Sequence, residues 1–231
     1  MNSDDIIRRL MDIGLVPVIR VDAADQAIGA VKAIIQAGLP VAEITLTVPG
    51  AMEVLAALDE AFGDRLLLGA GTVTEVDQAR QAIKAGSRFI VTPAACLEVV
   101  AYCRKEDTCV IGGGLTPTEV LSVWRAGADA VKVFPVKAVG GPEYIRLLRE
   151  PFPDIPLVPT GGVDLDNVAD FFDAGAAFIG VGGRLVNRSS LARGDLEAIT
   201  RQANLFLAAI RSAKQQASAF QPSSSTSFQP R

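Results

Sequence analysis

Eight short runs of apolar and β-branched residues, at 16–21, 41–46, 66–70, 89–92, 109–112, 130–134, 156–159 and 178–181, alternate with segments of helical periodicity at 24–36, 51–61, 75–85, 97–104, 116–126, 142–148 and 165–174. That alternation constrains the fold more than any other feature of the chain. A strand that leads into a helix and back into a strand pairs parallel with its predecessor, because the crossover returns the chain to the end it started from. Several helical segments stop where a C-terminal cap needs a residue free to adopt positive φ, at Ala37-Gly38, Ala85-Gly86, Ala126-Gly127 and Ala174-Gly175. Eight such units predict an α/β fold of the (β/α)8 TIM barrel type, with a doubly wound open sheet as the alternative.

Segments at both ends fall outside this pattern. Residues 4–12 read as a short amphipathic helix, capped by Ser3, that covers the bottom of the barrel. A last helix is expected near 196–214. The single (β/α)8 domain is therefore assigned to 1–216. The stretch 217–231, rich in serine, glutamine and proline with almost no charge, is assigned to a disordered tail; its Phe220 and Phe228 leave a docking segment as the other reading.

With 231 residues, 49% of them hydrophobic, the chain can bury a large core. No apolar stretch approaches the ~18 residues of a membrane span, and the start, Met1-Asn2-Ser3-Asp4-Asp5-Ile6-Ile7-Arg8-Arg9, lacks a secretory apolar region, so a soluble, cytoplasmic protein is expected. A net charge of -4 without a basic cluster speaks against nucleic acid and anionic membrane as partners. Cys96, Cys103 and Cys109 are odd in number and form no C-x-x-C pair, which disfavours a disulfide framework or a zinc site. With no histidine in the sequence, the serine–histidine and cysteine–histidine devices and the commonest metal ligand are missing. Proton transfer falls to carboxylate, lysine or water, and no metal or cofactor is expected.

Lys132 lies within Ala130-Val131-Lys132-Val133-Phe134-Pro135, a run that otherwise reads as a fully buried strand. Burying an unpartnered ammonium is costly, so the position needs a reason. One reason is chemical: dry surroundings lower a lysine pKa and leave a neutral amine able to attack a carbonyl and form a Schiff base. The other is structural, an edge-strand lysine or one paired with a carboxylate. Strand alternation weighs between them. Val41, Glu43, Thr45 and Thr47 share one face, and the apolar Ala42, Ile44 and Leu46 share the other, which must meet the helices. The same rule turns Val18, Arg20 and Lys132 inward. An arginine, a glutamate and a lysine then converge inside one barrel near strand C-terminal ends, where barrel active sites sit.

The glycines supply the second half of a site. Pro159-Thr160-Gly161-Gly162-Val163 closes the seventh strand and Gly180-Val181-Gly182-Gly183-Arg184 the eighth. Barrels commonly hold phosphate on these two loops, where glycine lets the backbone approach the ligand and the N-terminus of the following helix favours an anion. Gly69-Ala70-Gly71-Thr72-Val73 and Gly112-Gly113-Gly114 are read as making room at the mouth in the same way, with Thr72 offering a hydroxyl.

The series Glu43-Ile44-Thr45-Leu46, Gly69-Ala70-Gly71-Thr72-Val73, Thr116-Pro117-Thr118-Glu119, Lys132-Val133-Phe134-Pro135, Pro151-Phe152-Pro153 and Pro159-Thr160-Gly161-Gly162-Val163 resembles the 2-keto-3-deoxy-6-phosphogluconate / 4-hydroxy-2-oxoglutarate aldolase family, in order over about residues 16–186. The resemblance implies a (β/α)8 barrel that assembles as a homotrimer and works as a metal-free class I aldolase. It makes Lys132 the Schiff-base lysine and Glu43 the proton-transfer residue. Thr72 becomes a substrate contact, and the turns at Gly161, Gly162, Gly182 and Gly183 become the phosphate site. Thr47 and Thr160 join the substrate-binding set. The implied substrate is a small, phosphorylated 2-keto acid, cleaved to pyruvate and an aldehyde.

Four positions depart from the family pattern. Thr47 stands where the phosphogluconate branch usually carries an arginine, Gly183 where a serine is common, Gly112 for a proline and Lys137 for a glutamate. Carboxylate recognition then rests on Arg20, as in phosphogalactonate-type relatives, and its planar guanidinium suits a bidentate grip. Arg184 either compensates for the missing hydroxyl or faces solvent. Two other functions stay open. A phosphosugar isomerase or epimerase on the same barrel needs the phosphate turns and a carboxylate base, but Lys132 speaks against it. A non-catalytic trimeric assembly protein would have no use for the intact lysine and glutamate.

Overall fold

The structure, a computed structural model, describes residues 1–220. Its strands are β1 (Leu15–Ile19), β2 (Val41–Thr45), β3 (Leu67–Gly71), β4 (Phe89–Val91), β5 (Cys109–Gly113), β6 (Ala130–Val133), β7 (Leu157–Pro159) and β8 (Ile179–Val181). Every neighbouring pair is parallel and the strands follow one another in chain order, with β8 beside β1. The ring closes where Thr160, just beyond β7, bridges Gly180 of β8. This closure decides for the barrel over the open sheet.

The helices are α1 (Ser3–Ile13), α2 (Ala24–Gln36), α3 (Ala51–Phe62), α4 (Val76–Lys84), α5 (Leu97–Lys105), α6 (Pro117–Arg125), α7 (Pro142–Arg149), α8 (Val168–Asp173), α9 (Arg188–Ala192) and α10 (Leu196–Phe220). Helices α2 to α8 cover the outside of the barrel, so each strand is buried on both faces. The sequence carries their boundaries where local chemistry fixes them. At α6, Thr116 and Glu119 form a capping box and Pro117 occupies the first turn, where its missing N–H costs nothing. Helix α10 continues past residue 216, while 221–231, Phe228 included, lies outside the described residues, so the expected tail is not described. Among the described residues no helix is long and apolar enough to cross a membrane.

Helix α1 buries Ile6, Ile7 and Leu10. It packs against β1 and β5, but its cap differs from the expectation. Asn2, not Ser3, accepts the Asp5 N–H. The Ser3 hydroxyl instead donates to Asp129 Oδ1 at 2.9 Å, and Asp129 Oδ2 accepts the Val110 N–H at 2.7 Å. A half-buried acid needs donors more than an exposed helix end needs a second cap, and that need takes Ser3. Burial pushes the Asp129 carboxyl above its ordinary range, against the pull of those two hydrogen bonds and of Arg104.

The glycines of β5 serve packing rather than the mouth of the barrel. A Cβ on Gly112 would strike Val123 of α6, one on Gly113 would lie 2.5 Å from the Ala94 amide nitrogen, and one on Gly114 would lie 2.9 Å from that of Val120. Gly69 likewise yields its space to Phe89, whose ring fills the barrel interior. The thiols are inert in this setting: Cys103 and Cys109 are buried, and burial pushes the Cys103 thiol up to about 12.

Candidate active site

β2 and β6 bring Glu43 and Lys132 face to face inside the barrel. Their side chains are 3% and 7% exposed, and Lys132 Nζ lies 3.9 Å from Glu43 Oε1. That distance is an ion pair without a good hydrogen bond, and Glu43 Oε1 has no hydrogen-bond partner although it is buried. Orphaned buried oxygens are rare in proteins and concentrate where a ligand or water completes the network. Burial pushes the Glu43 carboxyl up, while the charges of Lys132 and then Arg20 pull it down. A carboxyl group poised this way can both take and return a proton.

The carboxylate fits because the neighbouring strand has no side chain there. A Cβ on Gly71 would sit 2.5 Å from Glu43 Cδ and 2.7 Å from Cγ. Gly71 therefore makes room at the site as the sequence suggested, but for a protein side chain and not for ligand. On the other side of the amine, the Phe134 ring centroid lies 5.4 Å from Lys132 Nζ. Phe134 is 40% exposed, a large apolar surface left open at the mouth. Sequence reasoning took it only as the end of a strand; the neighbouring charged position was the one available signal.

Arg20, Thr47 and Thr72 meet at the C-terminal ends of the first three strands. Arg20 donates from Nη1 to Thr47 Oγ1 at 3.2 Å and from Nη2 to Thr72 Oγ1 at 3.1 Å. Thr72 has φ of 62°, a conformation that costs a β-branched residue about 1–3 kcal/mol and that collects at functional sites.

The turns after β7 and β8 lie side by side across the barrel seam. Gly161 and Gly162 have φ of 84° and 105°, open to glycine and strained for other residues. The turn is fastened from outside: Lys137 N–H donates to Gly161 O, and Asn167 Nδ2 donates to Gly162 O while its Oδ1 accepts the Asp164 N–H. A cleft of about 770 Å³ opens beside these turns, lined by Gly162, Gly183, Arg184 and Asn187 among others. Thr160 is buried, with its hydroxyl 3.3 Å from Val158 O. The helices, however, differ from the sequence reading: α8 starts three residues later than expected, and the short α9 was not expected at all. α8 begins at Val168 and α9 at Arg188, so an anion at these glycines would meet turn amides instead of a helix N-terminus. Asn167 and the short 3₁₀ turn Val136–Val139 are the pieces of this site that sequence reasoning missed.

An inward lysine beside an unsatisfied carboxyl, at the open end of a (β/α)8 barrel, defines a class: an enzyme equipped to condense its amine with a carbonyl and move protons around the adduct. Comparison with known proteins makes the class specific. The family model described as KDPG and KHG aldolase matches residues 6–202. The chain is 36% identical over 202 residues to the 2-dehydro-3-deoxy-6-phosphogalactonate aldolase of Escherichia coli K12, covering 87% of this chain and 96% of that protein. It is 33% identical over 195 residues to the 2-dehydro-3-deoxy-phosphogluconate aldolase of Treponema pallidum, covering 84% and 92%. The KDPG aldolase of Legionella pneumophila, solved with pyruvate captured as a covalent carbinolamine intermediate, superposes with a TM-score of 0.77 at 27% identity, covering 83% and 92%. The chain belongs to the KDPG and KHG aldolase family. It is an aldehyde-lyase of the class I type, and the isomerase and assembly-protein readings are not favoured.

Proposed function

We propose that this protein cleaves a 2-keto-3-deoxy-6-phospho-sugar acid, of the gluconate or galactonate type, to pyruvate and glyceraldehyde 3-phosphate through a Schiff base on Lys132. 4-Hydroxy-2-oxoglutarate, giving pyruvate and glyoxylate, is the shorter substrate of the same chemistry. The observation that carries the reading is the 3.9 Å approach of Lys132 Nζ to the unsatisfied Oε1 of Glu43.

The Lys132 amine adds to the C2 ketone and water leaves, giving a protonated imine. Loss of the C4 hydroxyl proton drives cleavage of the C3–C4 bond: the aldehyde departs and the electron pair passes into the imine as an enamine. Protonation at C3 and hydrolysis release pyruvate and restore the amine. Glu43, alone or through a water, moves each of these protons. Arg20 grips the carboxylate with Thr72 beside it. The turns at Gly161, Gly162, Gly182 and Gly183, with Thr160, hold the phosphate. No metal is required in this scheme, because the imine itself supplies the electron sink. Family resemblance further supports a homotrimer working in the cytoplasm, without nucleic-acid or membrane partners.

Borohydride reduction in the presence of pyruvate, followed by peptide mass spectrometry, tests the assignment. One reduced pyruvate should appear on Lys132, activity should be lost, and untreated enzyme should keep its activity through exhaustive EDTA treatment. Label on Lys137 instead, or EDTA inactivation reversed by a divalent ion, would overturn the mechanism.

A further inference from the structure

We propose that Thr45 and Thr47 form a one-way hydroxyl relay that fixes the Arg20 guanidinium for the substrate carboxylate, which makes Thr45 a positioning residue two side chains removed from the ligand. The inference rests on the carboxylate-binding role proposed for Arg20 above.

The direction of every link follows from the groups involved. A carbonyl oxygen only accepts, so the Thr45 hydroxyl spends its single proton on Ile19 O, 3.0 Å away. Thr47 Oγ1 lies 2.8 Å from Thr45 Oγ1, and with the Thr45 proton committed, Thr47 must be the donor. The Thr47 oxygen is then left with lone pairs only, and Arg20 Nη1, which can only donate, supplies the bond at 3.2 Å. The chain Arg20 to Thr47 to Thr45 to Ile19 returns to the residue that precedes Arg20. It is a closed ring with one allowed polarity.

This ring joins a mobile group to a rigid one. Arg20 and Thr47 are exposed, and an exposed arginine gives up rotamer freedom when held in one pose. Thr45 is fully buried in β2, on the same face as Glu43 two residues earlier. Ile19 pairs with Ile44 in the β1–β2 ladder. The relay thus ties the guanidinium to the strand that carries the proton-transfer carboxyl. It also changes the part played by Thr47: with its proton spent on Thr45, that hydroxyl cannot donate to a carboxylate, and it serves the ligand by holding Arg20. Thr72 accepts from Nη2, which leaves its own proton for the ligand.

The test measures imine trapping by borohydride as a function of ketone concentration, with pyruvate and with acetone, which lacks the carboxylate. Thr47→Val, an exposed change that leaves the core untouched, should raise the pyruvate concentration for half-maximal trapping about tenfold, in line with losing a hydrogen bond to a charged group. Acetone should show no matching loss. Thr45→Val should behave alike, Thr45→Ser should restore pyruvate trapping, and the double Val variant should be no worse than either single one, because one missing link already opens the ring. Arg20→Ala separates the two levels of the argument. If it leaves pyruvate trapping unchanged, the carboxylate role of Arg20 falls. If Arg20→Ala is impaired for pyruvate but Thr47→Val is not, or if the two Val substitutions add, the relay alone falls.

Discussion

Replacing Gly71 with alanine should disarm Glu43 without touching it. A Cβ at this position would stand 2.5 Å from Glu43 Cδ. Ordinary carbon–carbon contact begins near 3.5 Å, so the carboxyl group must retreat by about 1 Å. Gly71 is not among the glycines with positive φ, so alanine meets no backbone penalty there. A misplacement of about 1 Å in a reacting group costs about a hundredfold in rate. kcat should fall by about that factor, within the range that general acid–base catalysis contributes. KM should change little, because Arg20 and the glycine turns are left alone. Overpacking should cost about 1–3 kcal/mol of stability, which a domain of this size tolerates. The assay pairs steady-state cleavage kinetics with thermal unfolding of the same preparation. A double-mutant cycle isolates the cause: in a Glu43→Ala background, Gly71→Ala should cost no further activity. A folded Gly71→Ala enzyme with kcat close to that of the parent would refute the claim that the placement of this carboxyl drives proton transfer.

The glycines of the two turns should separate by backbone and by space. Gly162→Ala should destabilise the protein, since φ is 105° and the new methyl would meet the Lys137 stem, whose Cδ is 2.9 Å away; an unchanged melting temperature would contradict the geometry. Gly183→Ser meets nothing within 4 Å and should fold as the parent does, while lowering KM for a phosphorylated substrate and not for 4-hydroxy-2-oxoglutarate. Equal effects on both substrates would remove the phosphate from these turns. Asp129→Asn probes pH. Because burial raises the Asp129 carboxyl in the folded state, its stabilising contribution is fully present below the ordinary carboxylate range and is lost as pH rises through its raised folded value. Urea denaturation should therefore show the variant gaining on the parent as pH rises across that window, and a pH-independent difference would refute the assignment.

The barrel and the inward convergence of Glu43 and Lys132 were legible because they rest on periodicity. Strand alternation alone turns Glu43 and Lys132 to the same side, and the structure brings them within 3.9 Å. What stayed illegible depends on partners far away in sequence. Ser3 leaves its helix cap for Asp129, 126 positions on, and no local pattern announces that. Gly112 and Gly113 look like ligand-facing glycines until Val123 and the backbone of Ala94 are found against them. The late start of α8 escaped because hydrophobic periodicity extends into a loop that folds back as a turn, and α9 escaped because five residues are too short to show a helical period. Phe134 escaped because the sequence marks an aromatic residue at a strand end only by the charged position nearby, and that does not say whether its ring is exposed.

The seam of the barrel has a mechanical consequence. Its other strand pairs share at least two consecutive paired positions, whereas among the described residues β7 and β8 meet through one bridge, between Thr160 and Gly180, and the hydrogen bond from Ala177 N–H to Leu157 O just before β8. The two glycine turns rise from opposite sides of this thinnest join. An anion held by both would act as a rivet across the ring, stiffening the barrel only while it is occupied and letting the seam slacken when the aldehyde leaves.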